Sequence, residues 1–120
     1  MSRMLACRMA YEPERSTAFG SITGSYVLMG PLFTHPIRIL ILQNSTNVAV
    51  QFSLDGVNTL ITLQAGIHAI IDITAARTND PAGLTAPIGQ GVYVRLESGA
   101  AGSGSAYASA IYGGGAESLA

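Results

Sequence analysis

The chain has 120 residues, enough for one domain, and its 48% hydrophobic content is ample for a core. Only 11% is charged, under half the roughly 25% usual for a soluble domain, and the net charge is −1. Its basic residues are all arginines (Arg3, Arg8, Arg15, Arg38, Arg77, Arg95), scattered singly, so the clustered positive charge needed for nucleic acid or an anionic membrane is missing.

Residues 1–17 read as an N-terminal arm, holding Glu12 and Glu14 and three of the arginines. Arg8 interrupts the start before an apolar segment can form, so no signal peptide is expected, and Cys7 has no partner for an intrachain disulfide. Folding inside a cell is the expectation that follows. No apolar run approaches the roughly 20 residues of a membrane-spanning helix.

A β-sandwich domain is expected over 18–113. Ser16 to Leu28 has the β-branched and aromatic content of one or two strands, interrupted at Gly20 and Gly24. From Pro36 to Asn44, Ile37, Ile39 and Ile41 fall on one face and Leu40 and Leu42 on the other, the pattern of a central strand covered on both sides. In the next segment Val48, Val50, Phe52 and Leu54 alternate with Ala49, Gln51 and Ser53, and Asp55-Gly56 turns the chain into Thr59–Leu63. These two segments predict an antiparallel hairpin. Gln64-Ala65-Gly66 makes another turn, after which Ile67, Ala69, Ile71 and Ile73 alternate with His68, Ile70 and Asp72.

A short helical turn is expected within 72–79, then an irregular loop through Pro81, Gly83 and Pro87. Val92, Val94 and Leu96 alternate with Tyr93, Arg95 and Glu97; Gly99, Gly102 and Gly104 read as a hairpin loop; Ser105 to Tyr112 is the final strand. Residues 114–120 form a tail after a glycine run. Roughly eight short strands at this spacing predict an all-β, antiparallel two-sheet sandwich, jelly-roll or immunoglobulin-like.

Catalytic patterns are weak throughout. A phosphate-binding loop needs a lysine, and the sequence has none; the glycines near 99–104 precede a strand rather than linking a strand to a helix. His35 and His68 lie in different segments, and a zinc site would need three or four ligands. Ser53, His68 and Asp72 supply the residue types of a hydrolytic triad without a nucleophile-elbow motif. Asp55 suits a turn, Asp72 a helix cap, and Asn44-Ser45-Thr46 a polar turn. No catalytic residue, metal, cofactor or small-molecule substrate is therefore assigned.

Low charge leaves a surface of small polar and apolar groups, the kind that partners cover. Tyrosine combines broad contact area with a polar tip. Tyr11, Tyr107 and Tyr112 are the candidate contact residues, with Ala108 and Ala110, whose small side chains allow another sheet or subunit to approach closely.

Four segments carry a resemblance: Phe19-Gly20-Ser21-Ile22, the aliphatic run Pro36 to Asn44, Phe52-Ser53-Leu54-Asp55-Gly56-Val57, and Val92-Tyr93-Val94-Arg95. In this order they resemble the small β-sandwich structural proteins of tailed-bacteriophage virions. The resemblance spans Phe19 to Gly113 and implies a many-copy particle component, folded in the host cytoplasm. Its partners would be itself and neighbouring head, head-tail junction or tail proteins, in a decoration or connector role. A receptor- or carbohydrate-binding module is the competing expectation; the lack of tryptophan and the 7% aromatic content weigh against it.

Overall fold

Alternation of large apolar residues with small or polar ones gives short strands with one face for a core. The computed structural model describes residues 9–73 and 86–113. They form β1 (Met9–Tyr11), β2 (Arg15–Ala18), β3 (Val27–Met29), β4 (Ile39–Asn44), β5 (Val50–Ser53), β6 (Thr59–Leu63), β7 (His68–Asp72), β8 (Val92–Leu96) and β9 (Ser105–Gly113). The chain is an antiparallel two-sheet β-sandwich. One sheet has the order β1-β9-β4-β7, with β2 also paired to β9; the other runs β3-β8-β5-β6.

The core lies between them. Leu40, Leu42, Ala106, Ala108 and Ala110 face inward from the five-stranded sheet, against Met29, Val50, Phe52, Val92 and Val94 from the four-stranded one. Alanines on the central β9 let the facing sheet approach, and Phe33, Phe52 and Met29 fill the space.

Among the described residues, only β5 and β6 form a hairpin between consecutive paired strands, its turn using Gly56 at a φ of 78°. Asp55 holds that turn: its Oδ1 accepts from the backbone N–H groups of Val57 and Asn58, and from Ser53 Oγ. The expected hairpin at Gly99–Gly104 is corrected, because β8 and β9 belong to different sheets and the glycine-rich loop crosses between them. Gly104 lies against the backbone of Ser45 and Thr46 in that crossing, with a φ of 87° that favours glycine.

The N-terminal segment also departs from expectation. From Met9 onward the expected arm is an edge of the larger sheet, β1 and β2 pairing successive stretches of β9. Pro13 separates them, a position where the missing N–H removes no ladder bond. Asp72 ends β7 rather than opening a helix. The rest of the helical turn expected within 72–79, the start of the following loop and the tail at 114–120 lie outside the described residues.

Candidate functional site

The two outer faces of the sandwich differ. On the four-stranded sheet, register aligns Thr62, Gln51 and Arg95 into a polar row. Gln51 Nε2 donates to Thr62 Oγ1 at 3.3 Å, Arg95 Nε donates to Gln51 Oε1 at 2.7 Å, and the Arg95 guanidinium lies 4.4 Å from the Tyr26 ring centroid. Leu28, exposed, and Tyr93 lie opposite one another on the same face.

On the five-stranded sheet the outer face carries a cluster of isoleucines among polar residues. Residues directly opposite across strands share a face, so Tyr11, Ile111, Ile39 and Asp72 form one row, Ser109, Ile41 and Ile70 a second, and Ser16, Tyr107, Gln43 and His68 a third. Tyr11 is 79% exposed and Ile70 64%. Ile39, Ile41 and Ile111 remain half-buried although their strands are central or nearly so. The two-sided apolar pattern of β4 thus gives a core-facing row of leucines and an outward row of isoleucines. Where the break between β1 and β2 leaves Ser109 between two paired stretches, a groove of about 410 Å³ opens, lined by Tyr11, Glu12, Glu14, Ser109 and Ile111.

A buried polar cluster fixes the β1 edge of this face. Glu12 Oε1 accepts from Arg15 Nη2 at 2.7 Å, with both side chains almost fully buried. Glu12 Oε2 accepts from Thr34 N and Thr34 Oγ1, each at 3.0 Å, and lies 2.9 Å from His35 Nδ1. Arg15 also donates from Nε to the Pro31 carbonyl, and its guanidinium lies 4.9 Å from the Phe33 ring centroid. Burial pushes the Glu12 carboxyl up, but hydrogen bonds from Arg15, His35 and Thr34 outweigh it and bring the pKa from 4.5 down to about 2.

The residues expected to make contacts are therefore divided. Tyr11 and Tyr107 share the outer face of the five-stranded sheet. Ala108 and Ala110 are inside the chain's own core, so the close approach that they permit is that of the second sheet, and they are withdrawn as surface contacts. Tyr112 points to the opposite side of β9 from Ile111 and stacks on His35, the ring centroids 3.7 Å apart and the planes 4° from parallel.

Sequence reading missed the isoleucine row as the main feature, although Ile39, Ile41 and Ile70 were already on defined strand faces. It also missed the Glu12–Arg15 pair. Residues three apart on a regular strand face opposite sides, and these meet only because the strand breaks at Pro13. Opposite charges flanking a proline were the available signal.

Among the described residues, no three His, Cys, Asp or Glu side chains are grouped to hold a metal ion, and no helix is long and apolar enough to cross a membrane. In comparisons with known proteins, no family model, curated protein or solved structure matches the chain.

Proposed function

We propose that this protein is a non-enzymatic structural subunit of a tailed-phage particle, associating with copies of itself and with neighbouring virion proteins through the outer face of its five-stranded sheet. The observation that carries the self-association is the cluster of Tyr11, Ile111, Ile39, Ile41 and Ile70 in two adjacent rows on the outer face of the five-stranded sheet. Removing such side chains from water stabilises a complex by roughly 25 cal/mol per Å² of apolar surface, before the costs of association. The particle setting is supported by the resemblance of the aliphatic, Ser-x-Asp-Gly and Tyr-Val segments to virion β-sandwich proteins.

Light scattering on the purified chain over a range of concentrations and salt tests the self-association. A discrete oligomer, or mass rising reversibly with concentration and persisting at high salt, is expected for an apolar contact. A constant monomer mass throughout would overturn it. Co-purification with a particle from a host expressing its virion genes is expected for the particle role; absence from purified particles would overturn that part.

A further inference from the structure

The Asp55-Gly56 pair that turns β5 into β6 is open to a backbone rearrangement that a bulkier second residue would hinder. Glycine has no Cβ to shield its nitrogen, so that nitrogen can approach the preceding carboxyl closely. In the rearrangement the Gly56 nitrogen attacks Asp55 Cγ, an N–C bond forms, and the carboxyl hydroxyl leaves as water with the amide proton. The five-membered imide then takes up one water. Opening at the Cγ carbonyl restores aspartate, whereas opening at the main-chain carbonyl leaves an isoaspartate, whose chain runs on through Cβ and Cγ. Two conditions must hold: the amide nitrogen must be free to attack, and the carboxyl must be protonated so that water can depart.

The folded turn denies both. Gly56 N–H donates to Ser53 Oγ at 2.9 Å, and the same hydroxyl donates to Asp55 Oδ1 at 2.8 Å, so one side chain engages both reacting groups. Asp55 Oδ1 also accepts from the N–H groups of Val57 and Asn58, each at 2.8 Å, and Oδ2 accepts from Asn58 Nδ2 at 3.0 Å. These donors favour the ionised carboxylate even though Asp55 is exposed, and they hold its pKa below the usual range. Ser53 is fully buried at the end of β5, which fixes its hydroxyl. On the other side of the turn, the Tyr93 ring lies 3.3 Å from where a Cβ on Gly56 would stand.

We infer that Asp55 is a latent site of isoaspartate formation that the folded β5–β6 turn holds closed, with the Ser53 hydroxyl as its guard. Modification there marks chains in which this turn has opened. It is also a mark that resists refolding: isoaspartate lengthens the main chain by one carbon and moves the carboxylate onto Cα, so the four hydrogen bonds that Asp55 accepts cannot all re-form. The turn joins β6 to β5, which carries Phe52 into the core, so its loss reaches the sandwich interior. Every atom involved belongs to one chain, and the inference is independent of the association proposed above.

Incubation of the full chain at neutral pH tests this, with isoaspartate quantified by methyltransferase labelling and located by mass spectrometry of the Asp55 peptide. The chain unfolded in guanidinium chloride should form isoaspartate at Asp55 roughly tenfold or more faster than the folded chain. Ser53→Ala frees the Gly56 N–H and removes one donor to the carboxylate, and should raise the folded rate roughly tenfold, the factor of one pKa unit. Asn58→Ala, at an exposed position, removes the bond to Oδ2 and should raise the rate severalfold with stability nearly unchanged. Gly104→Ala, which strains a different turn and leaves these bonds in place, controls for unfolding. Equal rates in folded and unfolded wild-type chains would overturn the inference. A Ser53→Ala rate no higher than that of Gly104→Ala at a matched unfolded fraction would overturn the role of Ser53. If Ser53→Ala does not fold, Asn58→Ala decides: a rate equal to that of the wild type overturns protection by these hydrogen bonds.

Discussion

Glu12 and Arg15 form an ion pair 2.7 Å long, with their side chains 3% and 1% exposed, although they lie on either side of a strand break. The pair fastens β2 to the Pro31–Thr34 segment and carries β1 with it. Removing one partner leaves the other charge buried without its counterion. Arg15→Met should therefore lower unfolding free energy by about 3–5 kcal/mol, measured by urea denaturation. Combining it with Glu12→Gln should recover part of that loss, because the unpaired carboxylate is removed too.

The same contacts govern acid stability. Glu12 loses its proton at about 2 when folded, against an ordinary value of 4.5, so between these values the unfolded chain binds the proton more tightly. Its contribution, on the order of 3 kcal/mol, is complete above the ordinary value and is lost as pH falls through about 2. Asp55 acts in the same direction: backbone N–H groups of Val57 and Asn58, then the Asn58 and Ser53 side chains, hold its carboxyl below the usual range. Thermal unfolding from about pH 6 down to pH 2 should show a falling midpoint, with Glu12→Gln starting lower and falling less steeply.

Ala108 pairs with Leu42 on β4 and is fully buried between the sheets. A larger side chain there should overpack the core. Ala108→Leu should cost about 1–3 kcal/mol or more in unfolding free energy, seen in dilute samples where association is absent. Unchanged stability together with altered oligomer mass would instead make this alanine a surface contact.

Asn44 is a fully buried polar side chain at the end of β4. Its Nδ2 donates to the carbonyls of Val48 and Leu63, and its Oδ1 accepts from Thr46 N and Thr46 Oγ1. Asn44→Leu removes all four bonds, and each buried group left unpaired costs about 1–3 kcal/mol. Nearby, a Cβ on Gly104 would collide with the Ser45 carbonyl. Gly104→Ala should therefore destabilise the fold although it changes a single methyl group, and denaturant titration of each variant measures both losses.

Outer-face substitutions should separate association from stability. Ile41→Ser should reduce oligomer mass at a given concentration while the monomer still unfolds cooperatively, whereas Gln51→Ser on the four-stranded sheet should leave the mass unchanged. Scattering and denaturation on the same samples give both numbers.

Sequence alone established the all-β architecture and most strand faces. The alternations in Val48–Leu54, Ile67–Ile73 and Val92–Leu96 have period two, and a strand with that period can bury only one set. The leucine and isoleucine sets of β4 were equally separable. Which set met the second sheet was a tertiary decision, because both are apolar and only the volume opposite, filled by Phe52 and Val94 against the alanines of β9, selects the leucines. Tertiary structure also joined residues 9–18 to the sheet, sent the glycine loop at 99–104 across the sandwich, and brought Glu12 to Arg15 and His35. Apart from the Glu12–Arg15 contact across Pro13, each depends on contacts between residues far apart in the chain, which local alternation does not encode.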